Sequence, residues 1–143
     1  MENLWNFDEE INLENPVDIV KGQIEYLEEM TDKCVSAELV EEKDETDEFK
    51  YRFVINSPYM PNYSFKAFTI QCSPIFYPVN IDCDENIATE LGEIEETPLG
   101  FNLVNTIICY DTDDFKNELK RILGTKYMKQ VVAAVKLMAK SYL

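Results

Sequence analysis

The sequence predicts an α+β domain, with an antiparallel sheet of about four to five strands and an N-terminal helix and two C-terminal helices packed on one face. Three observations predict it. Apolar residues recur at helical spacing near residues 16–31, they alternate with period two through most of residues 35–83, and they return to helical spacing after residue 111. Helices and strands therefore occupy separate blocks of the chain instead of alternating, the pattern of a segregated sheet-and-helix plan. A chain of 143 residues fits a single domain, 1–143, with one core.

Residues 1–14 carry Leu4, Trp5, Phe7, Ile11 and Leu13 among acids. Positions 4, 7 and 11 share a helical face but no strong cap precedes them, so the segment reads as a docking arm or short docking helix. Asn15-Pro16 then supplies an N-cap followed by proline at the first helical position. Asp18 sits in the first turn, and Val17, Val20, Ile24 and Leu27 form one stripe to about Thr31.

From Cys34 the period changes. Val35, Ala37 and Leu39 alternate inward, the run 42–48 forms an acidic turn, and Phe49, Tyr51, Phe53 and Ile55 alternate on the returning strand, so the two pair as a hairpin. Two prolines interrupt at Ser57-Pro58-Tyr59-Met60-Pro61-Asn62. A third strand runs from Tyr63 to Ser73, and its apolar parity slips between Phe65 and Phe68, which predicts a bulge near Ala67. A fourth runs from Phe76 to Cys83, with Pro78 placing it at an edge or starting it at a bulge. Residues 84–103 are acidic and poorly periodic and read as a loop, and 104–110 read as a fifth strand. Asp111 or Thr112 then caps a helix bearing Phe115, Leu119, Ile122 and Leu123 and stopped by Gly124. Thr125 opens another, striped by Met128, Val131, Val132, Val135, Met138 and Tyr142. The cleanest stripes place Val20, Ile24, Leu27, Phe53, Ile55, Leu119, Val132 and Val135 together in the core.

Charge separates along the chain. The net charge is −15; residues 1–48 hold 17 acids and 3 bases, residues 49–110 hold 7 and 3, and residues 111–143 hold 4 and 7. A field of that sign repels phosphate backbones and anionic headgroups and attracts basic protein surfaces, so direct nucleic-acid binding and a membrane partner are not expected. Acidity of this degree also serves solubility alone in many bacterial-type cytosolic proteins. Residues 1–5 lack a basic, apolar leader pattern, and no apolar run approaches a membrane-spanning length, so the expected location is cytoplasmic. Cys34, Cys72, Cys83 and Cys109 stand singly without a C-x-x-C pair, which reads as four reduced thiols. Cys72 and Cys83 take the positions of small buried hydrophobes.

The chain contains no histidine, which removes the commonest general base and metal ligand together. Three patterns remain to be weighed for chemistry. Asp82, Asp84, Asn86, Glu90 and Glu93 match the alternating oxygen ligands of a calcium loop, but Ile87 stands where the sharp turn needs glycine and a strand precedes the motif in place of a helix. Ile107-Ile108-Cys109-Tyr110-Asp111-Thr112-Asp113 resembles the strand-then-D-x-D start of haloacid-dehalogenase-type phosphotransferases, in which the first Asp attacks phosphorus and the pair holds magnesium. That resemblance implies a parallel sheet with the catalytic domain following, whereas only 30 residues follow Asp113, and helix capping accounts for the same carboxylates. Tyr59, Met60 and Tyr63, at the proline-bounded connection, form a candidate contact loop.

The sequence thus points to a non-enzymatic acidic protein-binding module, inhibitor-like, immunity-like or chaperone-like, without cofactor. Its expected partner is a basic protein surface met by Asp44, Glu45, Asp47 and Glu48 and by the Tyr59, Met60 and Tyr63 loop. The alternatives are a carboxylate enzyme using a divalent cation at 82–93 and a structural subunit that oligomerises through a sheet edge.

Overall fold

A computed structural model describes residues 1–7, 10–42, 49–96, 102–104 and 106–142. Helix α1 spans Pro16–Met30, and the Asn15 side chain accepts the Val17 N–H at its start. No glycine ends it. Thr31 donates to the Leu27 carbonyl at 2.8 Å, and Asp32 and Lys33 take the left-handed conformation (φ 51° and 63°) that lets the Lys33 N–H reach the Glu28 carbonyl. Ser57, buried, then donates to the Cys34 carbonyl at 2.7 Å, which ties the exit from α1 to the far end of the first hairpin.

Strands β1 (Ser36–Glu42), β2 (Phe49–Asn56), β3 (Phe65–Cys72) and β4 (Val79–Cys83) form an antiparallel meander, and β7 (Ile107–Cys109) pairs antiparallel with β4 to give the order β1-β2-β3-β4-β7. Phe53 stands opposite Phe68, and their rings stack at 4.7 Å. Val54 pairs next with Lys66, so Ala67 is the extra residue of a bulge, the position at which the apolar parity slips. Residues directly opposite share a face. One face therefore carries Phe53, Phe68, Ile70, Val79 and Ile81, all buried, while Lys50, Arg52, Gln71 and Asn80 project from the other. β4 is interior, and Pro78 lies just before its first residue, where its missing N–H breaks no ladder bond.

The span 84–103 is not the long loop its composition suggested. Helix α2 (Glu85–Leu91) and the paired strands β5 (Ile94–Glu96) and β6 (Asn102–Val104) occupy it. Asp84 accepts the Asn86 and Ile87 N–H groups, Gly92 closes α2 in the left-handed conformation (φ 78°), and Ile87 and Ala88 are buried. The acids of the helix are solvent-facing, which hid a short apolar face behind an acidic average. Helices α3 (Thr112–Leu123) and α4 (Lys126–Lys140) follow. Together with α1 they cover the apolar face, and Val20, Phe115, Leu119, Ile122, Met128 and Val135 join the sheet residues in one core.

Of the eight residues expected in that core, Val20, Phe53, Ile55, Leu119 and Val135 are buried, whereas Ile24, Leu27 and Val132 are only half-buried against it. Residues 1–7 and 10–14 form no helix. No helix among the described residues is long and apolar enough to cross a membrane.

Candidate functional site

Leu27 and Val132 are half-buried because they face a groove between α1 and α4. It encloses about 700 Å³. Phe53 and Ile55 form its floor, Tyr26, Leu27 and Met30 its α1 wall, and Met128, Val132 and Ala133 the apolar part of its α4 wall. The periodicity that builds each helix also builds the groove. Leu27 and Met30 are one turn apart on α1, and Met128 and Val132 one turn apart on α4. Only part of each stripe meets the sheet, and the remainder lines the opening. Tyr26 and Met30 are exposed, 61% and 71%, at the groove's lip.

A second cleft of about 480 Å³ continues along α1, between Ile19 and Gln23 on that helix and Leu119 and Leu123 on α3. Gln23 and Leu123 border both cavities, so one trough follows α1 from Ile19 to Met30, roughly 17 Å at the helical rise. Its far wall is basic. Lys116 and Lys120 line the α3 portion and Lys129 and Lys136 the α4 portion. Lys116 bonds Glu14 at 2.8 Å, and that hydrogen bond holds its ammonium above the ordinary lysine range. Among the described residues, Lys120, Lys129 and Lys136 have no carboxylate within ion-pair distance. The two hydroxyls lining the α1–α4 part are those of Tyr26 and Thr31, and Thr31 is spent on the Leu27 and Val35 backbone. The trough offers apolar surface and positive charge to a ligand.

The residues singled out in the sequence are dispersed. Tyr59 is exposed at the proline-bounded connection, but Met60 is buried in the core and Tyr63 is half-buried, its phenol pushed above its ordinary value by burial and then by Tyr127. Met60 is therefore unavailable as a surface contact in this fold. Asp44, Glu45, Asp47 and Glu48 lie outside the described residues.

The calcium-loop residues have separate tasks. Asp82 accepts the Thr106 hydroxyl at 2.8 Å, Asp84 caps α2, Asn86 lies in the first turn of α2, and Glu93 is 4.0 Å from Arg121. Glu90 reaches from α2 to the start of α4 and accepts the Lys126 and Tyr127 N–H groups at 2.6 and 3.0 Å. A helix thus runs where the cation loop needs a turn, and among the described residues no three acids or thiols cluster as a metal cage. Asp111 likewise caps α3 by accepting the Asp114 N–H at 2.8 Å, and β7 before it is antiparallel to β4, which conflicts with the parallel sheet of a D-x-D phosphotransferase.

Sequence reasoning missed the trough. The available signal was the width of the α4 stripe, with Met128, Val131, Val132 and Val135 broader than one sheet contact needs, and the lysines that flank it. The chain matches no protein-family model, no curated protein and no solved structure.

Proposed function

We propose that the protein is a non-enzymatic protein-binding module that receives an apolar, acid-flanked segment of a partner in the trough along α1. The observation that carries this reading is the trough itself. Core residues Phe53 and Ile55 floor it, half-buried Leu27 and Val132 side it, and lysines without carboxylate partners among the described residues wall it. Tyr26 and Met30, exposed at the lip, add apolar surface that a ligand can cover, and an amphipathic segment laid into a hydrophobic groove is a recurring mode of peptide recognition. The acidic first third adds a second contact surface for basic regions of the same partner. Asp18, Glu25 and Glu29 are exposed on α1, and Asp44, Glu45, Asp47 and Glu48 extend that charge in sequence.

The test is affinity capture followed by titration of the captured protein against variants. Ala133→Glu places a carboxylate in the trough at an exposed helical position, so the fold survives while binding weakens by roughly ten- to a hundredfold. Neutralising Asp44, Glu45, Asp47 and Glu48 lowers the association rate and its salt dependence. A captured protein whose affinity ignores Ala133→Glu overturns the trough as the site.

A further inference from the structure

We infer that the apolar arm of one copy docks into the α1 trough of a second copy, and that the reciprocal exchange closes a two-fold dimer. The inference rests on the reading of the trough as a protein-binding site and names its occupant. Leu4, Trp5, Phe7 and Ile11 are 76–85% exposed, an unusual load of solvated apolar surface for fourteen residues. Trp5 and Phe7 stack with ring centroids 5.8 Å apart, and residues 4–7, roughly 10 Å of extended chain, fit within the roughly 17 Å trough.

Charge matches as well as shape. The first fourteen residues contain five acids and no basic side chain, and the trough's far wall carries Lys116, Lys120, Lys129 and Lys136. An arm that buries Leu4, Trp5 and Phe7 there brings its acids, Glu2 and Glu10 among them, near that wall. Glu14 and Lys116 already make this kind of pair at the root of the arm.

The single chain leaves its own arm exposed outside its own trough. Thr112 on α3 accepts the Glu14 N–H at 3.1 Å and donates to the Asn12 carbonyl at 3.4 Å, and Tyr77 donates to the Glu14 carbonyl at 3.1 Å. These bonds hold residues 12–14 against the start of α3, and within a single chain Leu4, Trp5 and Phe7 remain outside the trough. Two copies related by a two-fold axis cover both arms and both troughs at once, the closed arrangement that self-complementary surfaces favour.

Sedimentation equilibrium of the full chain tests the exchange. Wild type is a dimer in concentration-dependent equilibrium with monomer. Phe7→Asp in the arm and Ala133→Glu in the trough each raise the dissociation constant by roughly ten- to a hundredfold, with unchanged circular dichroism. An equimolar mixture of the two variants recovers a dimer, weaker than wild type, because one intact arm still meets one intact trough. A wild type that is monomeric at every concentration, a dimer indifferent to both changes, or a mixture that stays monomeric each overturns the exchange. A monomeric wild type that still loses a captured partner on Ala133→Glu overturns the exchange alone and leaves the protein-binding reading standing. An exchanged dimer whose partner ignores that change does the reverse.

Discussion

Cys83 and Cys109 have thiols pushed from 9.0 up to about 12. Burial is the main cause for both; Asp82 and Glu93 add to it at Cys83, and Glu118 and Asp114 at Cys109. A thiolate at either place would be poorly solvated and faced by carboxylates, so it does not form near neutrality. Iodoacetamide at pH 8 should therefore label both far more slowly in the native chain than in urea. The sign for stability follows by linkage. Each group is protonated in both states below pH 9; between 9 and about 12 only the unfolded chain releases the proton, so stability is full below 9 and declines through that window. Tyr51 and Tyr77, raised from 10.0 chiefly by burial, add to the same decline. A urea midpoint that stays level to pH 11.5 contradicts this account. Cys72 was legible as core because its neighbours alternate around it. Met60 was not legible, because two prolines mark a connection without revealing which of its side chains folds back beneath it.

Helix α2 shows how a short element escapes a sequence reading and still matters. Its signals were present: Asp84 at the cap, Ile87, Ala88 and Leu91 on one face, and Gly92 at the stop. Seven residues hold fewer than two full turns, however, too few for a period to rise above the acids around them. Longer α1, α3 and α4 repeat their stripes over three or four turns and were plain, caps included. The role of Glu90 was beyond reach, since its partners lie 36 and 37 residues away. It satisfies two free N–H groups of α4 while Thr125 accepts the third from Met128 at 3.2 Å, and its negative charge sits at the positive end of the helix. Glu90→Ala is expected to lower stability by about 1–2 kcal/mol, with Glu90→Gln recovering part of the loss. Urea denaturation measures it, and a midpoint unmoved by the alanine change would mean that water serves those amides equally well.

At the scale of the molecule the layered plan was readable because every stripe must find cover and only one sheet face could supply it. The trough was not readable, because a half-covered Leu27 or Val132 has the same identity and spacing as a covered one; the gap between α1 and α4 is a property of two helices and the sheet beneath them, not of either pattern. The strand order has a further consequence for how the protein keeps its own copies from forming fibrils. Among the described residues β1 and β7 end the sheet, each paired with a strand on one side only. β7 is three residues long, too short to template much, whereas β1 is seven and carries exposed Glu38 and Glu41, with Glu42 held by Lys50 and Arg52. A second β1 laid alongside would bring like charges together in a row, so the acids act as gatekeepers of that edge. Exchanging Glu38 and Glu41 for valine keeps the strand and removes the repulsion. Under agitation the doubly substituted chain should bind thioflavin T and deposit as fibrils at concentrations where the wild type stays clear, and equal behaviour of the two would show that the edge is guarded by something other than charge.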